Sequence, residues 1–166
     1  GYSYHEQNLT MTDGFQTLPP LGAFPGLLSS YDTQWKGPWV GLDLRVRAGQ
    51  RLGIFENVDF FASFEYHWAN YYAQAEWNLR QKDLAQPKSF EHEADGHGYI
   101  VAAGANLYFN QRWSLNIAYS IAQWNTDAGT DRVFSISNGQ VVTAETRLNE
   151  VNWKSETLTL GAAYHF

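Results

Sequence analysis

The chain has 166 residues, a formal net charge of −6 and no cysteine. That is room for one domain, a charge that argues against nucleic acid as the main partner, and a composition that excludes a disulfide framework and thiol chemistry. Aromatic residues make up 16 %, which suits a membrane–water boundary, yet no apolar run approaches the ~18 residues of a transmembrane helix.

Six strand-rich segments follow one another, with long and short connections alternating. The first is Tyr2–Thr12. A long loop, Asp13–Ser30, carries Pro19-Pro20 and Phe24-Pro25-Gly26 together with Phe15, Leu18, Leu21, Leu27 and Leu28. A water-exposed loop this apolar is unusual, so it is expected to fold over a barrel mouth as a plug or to dock on a partner. The second strand runs from Tyr31 to Leu52, and a short turn near Phe55–Asn57 leads into the third, Asp59–Trp77. A polar loop, 78–98, precedes the fourth strand, Tyr99–Phe109. The turn Asn110-Gln111-Arg112 opens the fifth, Trp113–Trp124. The segment 125–146 reads as a hairpin excursion turning at Asn138-Gly139, and the sixth strand ends the chain at Phe166.

Alternation in the fourth, fifth and sixth strands carries the fold assignment. Val101, Ala103, Leu107, Leu115, Ile117, Leu158 and Leu160 fall on one face; Ala102, Asn106, Ser114, Asn116 and Thr159 fall on the other. A soluble sandwich also alternates, but its outward face carries Lys and Glu. Here neither face of the fourth or fifth strand bears a charge, as expected for one face in lipid and one in a lumen. The ending Leu158-Thr159-Leu160-Gly161-Ala162-Ala163-Tyr164-His165-Phe166 matches the ~9–11 residues of a tilted membrane strand.

The fold class expected is therefore all-β: a transmembrane antiparallel up-and-down β-barrel occupying 1–166, with extracellular loops at 13–30, 78–98 and 125–146 and the C-terminus on the periplasmic side. The strands before the long loops continue past the apolar stretch, which predicts a barrel projecting above the membrane. Six strands are too few, since single-chain barrels start at about eight and an open edge in lipid leaves backbone groups bare. Missing strands are the preferred explanation, ahead of several chains completing one barrel or strands hidden in the loops. The chain starts at Gly1 without a signal peptide, so a processed product or a fragment is expected.

Gly1-Tyr2-Ser3-Tyr4, Trp39-Val40-Gly41-Leu42, the short turn between the fourth and fifth strands, and the ending Leu160-Gly161-Ala162-Ala163-Tyr164-His165-Phe166 resemble the omptins, ten-stranded outer-membrane proteases of Gram-negative bacteria. The resemblance covers the C-terminal six strands of that fold and implies a larger, about ten-stranded barrel. It also implies an Asp pair from the absent part of the fold and an Asp–His pair soon after Trp77. Asp83 stands there, but no His lies two residues on. No catalytic residue is assigned, and no peptide hydrolysis is expected of this polypeptide alone.

Three constellations remain. Alternation puts Asp43, Arg45, Arg47, Glu65 and His67 on the lumen side. A salt-bridge plug is the expected reading, pairing Arg45 or Arg47 with Glu65 or Asp43 because unpaired burial is costly; a polar pathway is the alternative. His92, Glu93, Asp95 and His97 lie close enough in sequence to bind a divalent cation. A hydrated acidic loop is the plainer reading, and Asp95 with His97 could form an acid–base pair. The aromatic set Trp35, Trp39, Trp68, Tyr71, Tyr72, Trp77, Trp113, Trp124 and Trp153 is expected to form interfacial girdles and packing, with stacked sugar or quinone-like ligands as the alternative.

No cofactor is expected. The partners expected are outer-membrane lipid and lipopolysaccharide, with the remaining barrel strands or another envelope protein. The role expected is structural or interactive, with a surface protease or a small channel as alternatives.

Overall fold

The computed structural model describes residues 1–48 and 52–166. The end of the second predicted strand, 49–51, lies outside them. Ten strands form: β1 (Tyr2–Met11), β2 (Phe15–Gln16), β3 (Gly22–Ala23), β4 (Ser29–Ala48), β5 (Asn57–Glu76), β6 (Phe90–Tyr108), β7 (Trp113–Thr126), β8 (Gly129–Ser137), β9 (Gln140–Leu148) and β10 (Asn152–Tyr164). One 3-10 turn, Asn78–Arg80, accompanies them, and there is no α-helix among the described residues.

The main sheet is an antiparallel meander in the order β1-β4-β5-β6-β7-β10. β8 continues along the edge of β6 above β7, after a break at Asp127-Ala128, and pairs with β9. β1 and β10 do not pair, so the sheet is not closed into a barrel. Its curl is nevertheless strong: His5 of β1 lies 4.8 Å from the Trp124 ring of β7. β1 and β10 face each other near the top across a cleft of about 350 Å³, with Tyr4, His5, Glu6 and Gln7 on one side and Trp153 on the other.

Pairing converts the period-2 sequence pattern into rows. On the convex face Leu44, Ala62, Ala103, Tyr119 and Leu158 form one row, and Val46, Phe60, Ala105, Ile117 and Leu160 the next. A third row holds Ala48, Val58, Leu107, Leu115 and Ala162. None of these three rows carries a charge. Leu44, Val46, Ile117, Leu158 and Leu160 are all exposed, while Val58 and Ala105 in the same rows are buried. Aromatic side chains edge this apolar band. Tyr66 and Trp68 pack edge-on above; Trp113, Tyr164 and Phe166 pack edge-to-face in sequence below. From Tyr99 to Leu107 the band covers roughly 27 Å along the strand, or about 20 Å once tilted.

β4, β5 and β6 are 20, 20 and 19 residues long, about twice the ~9–11 that a bilayer needs. The surplus lies above the band, toward the long loops. There the sequence reading needs two corrections. The expected loop 78–98 is strand from Phe90 onward, with Phe90 opposite Ala75 and Gly98 opposite His67. Glu91, Glu93 and Asp95 alternate with Ala94 and Gly96; a strand standing in water on its outer side has no apolar stripe to reveal it. The second correction concerns β1. Its register runs from Met11 opposite Ser29 to Tyr2 opposite Pro38, wholly above Val40. The first predicted strand is thus not an edge of the apolar band, and five strands, not six, enter the band.

The apolar loop does not plug the mouth. A two-residue ladder joins β2 to β3, and Asn78 pins the loop base by accepting from the Leu28 amide and the Ser29 hydroxyl and donating to the Gly26 carbonyl. Phe15, Leu18 and Leu21 remain exposed. The 138–139 turn stands as expected: Asn138 and Gly139 have φ of 51° and 76°, the positive pair of a tight hairpin turn.

Candidate functional site

The concave face has two storeys. The upper one is a packed aromatic–histidine core. Trp35, Tyr71 and Trp124 are buried together with Ala69 and Ala73, and the Trp35 ring lies 4.6 Å from Tyr71 and 5.8 Å from Trp124. His67 is 1 % exposed. Its ring sits 4.7 Å from Trp124 and stacks on Trp39 at 5.8 Å. Glycine makes room: a Cβ on Gly98 would fall 2.4 Å from the Trp124 ring.

Both His67 nitrogens are satisfied. Nε2 donates to the Glu65 carboxylate at 3.0 Å, and Nδ1 is hydrogen-bonded with the Ser3 hydroxyl at 3.0 Å. A hydroxyl, an imidazole and a carboxylate in line is the order of an activated nucleophile. Here the ring is walled in by Trp39, Trp124 and His5, which leaves no room for a reacting group against it. The arrangement ties β1 to β5.

The lower storey, level with the apolar band, is polar and open. Asp43, Arg45 and Arg47 share the concave face and are exposed, with Glu65 half-buried above them. Arg47 donates through Nε and a terminal nitrogen to Asp59, at 2.8 and 3.1 Å. The expected partners, Asp43 and Glu65, are not used: Glu65 serves His67, and among the described residues Asp43 and Arg45 form no ion pair. Asn106 and Asn116 bond to each other at 2.8 Å in the row of Arg47 and Asp59.

The strands and the all-apolar outer band raise the question of kin, and one family answers it. Residues 1–166 match the Protochlamydia outer membrane protein family, Pom. The chain belongs to the Pom family. It is an outer-membrane protein; among the described residues no helix is long and apolar enough to cross a membrane. No curated protein matches it.

The remaining sequence-flagged residues of this Pom chain are placed as follows. His92 points inward, bonded to the Tyr31 hydroxyl at 2.9 Å and 3.3 Å from Asp131. Glu93, Asp95 and His97 point outward. Glu93 takes Arg132 at 2.6 Å, Asp95 takes the Asn70 amide at 2.6 Å, and His97 lies flat against Tyr66 at 6.4 Å. The pleat therefore splits the four, and no group of three His, Asp or Glu that could hold a metal forms among the described residues. Asp83 meets Arg80 at 3.5 Å, away from either histidine.

A charged network on the outer wall was not foreseen. Arg132 of β8 binds Glu91 and Glu93 of β6 and Glu145 of β9 at 2.6–2.8 Å, and Lys88 also binds Glu91. The Lys88 ammonium, with Arg132 and the Tyr72 hydroxyl, holds the Glu91 carboxyl below the usual carboxylate range against the opposing effect of burial. Its three carboxylates raise the Arg132 guanidinium, Glu145 first. Only the inward parity of Asp59, shared with Ser63, Glu65 and His67, was legible. The pairing of Arg132 was not, because it depends on how β8 resumes beside β6.

Proposed function

We propose that the chain supplies adjacent strands of a transmembrane antiparallel β-barrel in the outer membrane, and that this barrel has a structural and interactive role rather than a transport one. The observation that carries the role is the packed upper storey: His67 and Trp124 are 1 % and 2 % exposed directly above the polar lower lumen. A solute entering from below meets packed rings. The outer leaflet, lipopolysaccharide included, is the partner of the apolar band. The loop bearing Phe15, Leu18 and Leu21, exposed and pinned through Asn78, is the surface offered to another envelope protein. The omptin resemblance supports the same meander and a barrel of about ten strands.

A small channel is the second reading. The exposed Asp43 and Arg45, which form no ion pair among the described residues, favour it, because a lumen lined by unpaired charges is a hydrated one. Ion conductance of the protein reconstituted in planar bilayers separates the two. The structural reading expects no steady conductance from the native protein and a leak in Trp124→Ala. Steady conductance by the native protein makes the channel reading the correct one.

A further inference from the structure

We propose that the lower half of the β4 edge, facing away from β5, is a pairing surface for one further β-strand that runs in the direction of β1, collinear with it, with polar residues inside and apolar residues outside. This rests on the membrane-crossing reading above and deepens it by naming the surface and its occupant.

The backbone identifies the surface. Trp39 exchanges both hydrogen bonds with Gly1: its amide donates to the Gly1 carbonyl at 2.9 Å and its carbonyl accepts from the Gly1 amine at 2.8 Å. In an antiparallel sheet every second residue turns N–H and C=O the same way. Gly41, Asp43, Arg45 and Arg47 therefore point theirs to the side of β1, while Leu42, Leu44 and Val46 point theirs to β5. Pro38 obeys the same parity: the missing amide falls on the β5 side, where the β4–β5 ladder is interrupted between Lys36 and Trp39. No described strand pairs with Gly41–Arg47 on their open side.

Lipid makes that edge untenable when bare. Val40, Leu42, Leu44 and Val46 are 58–64 % exposed on the outer face and lie in the apolar band. Within hydrocarbon no water reaches the intervening amides and carbonyls, and an open edge does not persist there.

Direction then defines the occupant. Along the meander, β4, β6 and β10 run one way and β1, β5 and β7 the other. The two outer strands of the band, β4 and β10, run the same way, so they cannot close on each other by antiparallel pairing. An odd number of strands must stand between them, and the one beside β4 runs as β1 does. A second copy has none to offer. Its β5 and β7 are paired on both edges in the band, and its β1 carries Glu6 and Asn8 outward, where the band needs apolar residues. The Gly1–Trp39 exchange already sets the register in which the occupant continues the β1–β4 interface. Arg45 adds a chemical requirement: it is exposed on the concave face with no ion pair among the described residues, so the inward side of the new strand is expected to bring a carboxylate beside it.

The test is site-resolved amide hydrogen exchange by NMR on the protein extracted from its native outer membrane in detergent. The proposal expects the amides of Gly41, Asp43, Arg45 and Arg47 to exchange within about tenfold of those of Leu42, Leu44 and Val46, all of them slow. Slow exchange at the latter three with exchange more than 100-fold faster at the former four would overturn the proposal and leave the membrane-crossing reading standing. Fast exchange at all seven would overturn both. A second variant checks the same edge. Proline is tolerated where a strand amide faces no partner. Asp43→Pro is therefore expected to abolish the folded, heat-modifiable band on gels while Asp43→Ala keeps it; a normal folded band from Asp43→Pro refutes the proposal.

Discussion

Trp124 shows at the scale of one residue how the upper storey is held. Its ring touches His5, Trp35 and His67 from three strands and occupies the space that the absent Gly98 side chain leaves. Trp124→Ala removes these contacts and opens a cavity, a change that costs about 3–5 kcal/mol. Gly98→Val forces the ring out and should cost about 1–3 kcal/mol by overpacking. Both are read from denaturant unfolding of the refolded protein; a Gly98→Val variant as stable as the native chain would contradict this packing. Glu91 provides a pH prediction. Its folded pKa lies below its unfolded value of ~4.3, so its contribution is fully present above that value and is lost as pH falls through the folded pKa. Protease nicking of the β8–β9 hairpin should therefore rise as pH falls below about 4, and Glu91→Gln should show the raised nicking already at neutral pH. Of these residues the parity of His67, Glu65 and Arg47 was legible in sequence. Their partners were not: Ser3 and Asp59 reach them across strand registers that no local pattern states.

Among the elements, the legible ones were those with a single apolar face. β7 and β10 alternate cleanly because one side is apolar and the other polar or small; the predicted fifth strand falls inside β7, and the sixth overlaps β10, which ends at Tyr164, two residues before the predicted end. The upper part of β6 was lost to a predicted loop because its outer side carries the charged Glu91, Glu93 and Asp95 while small residues pack on the other. β1 was legible as a strand but not in its height, which the pairing of Tyr2 with Pro38 sets. The β8–β9 hairpin was betrayed by Asn138-Gly139, whose positive φ values a β-branched residue resists. Gly139→Val should accordingly loosen β8–β9, seen as faster amide exchange at Val133–Ser137, and leave exchange in β7 unchanged. Loss of protection in β7 as well would mean that the hairpin and the wall fold as one unit.

For the whole molecule, the apolar band is what supports the proposed membrane-crossing wall. Three rows without a charge, edged by Trp68 above and Trp113 and Tyr164 below, lie on the convex face, and Leu44, Val46, Ile117, Leu158 and Leu160 among them are exposed. The concave side at the same height carries Asp43, Arg45, Arg47 and Asp59 beside Phe61. A sheet with water on its convex face would reverse this distribution, since the hydrophobic effect removes apolar rows from water and leaves charges in it. Membership of an outer-membrane family is consistent with the proposed placing of this face against lipid. The most direct measurement is spin-label accessibility in native outer membranes, with single cysteines at Leu44, Ile117 and Leu160 against Asp43, Asn116 and Thr159. The first three labels should be relaxed by lipid-soluble oxygen and shielded from a water-soluble relaxation agent, and the last three should show the reverse. Equal accessibility of both sets to the water-soluble agent would contradict a membrane-crossing wall.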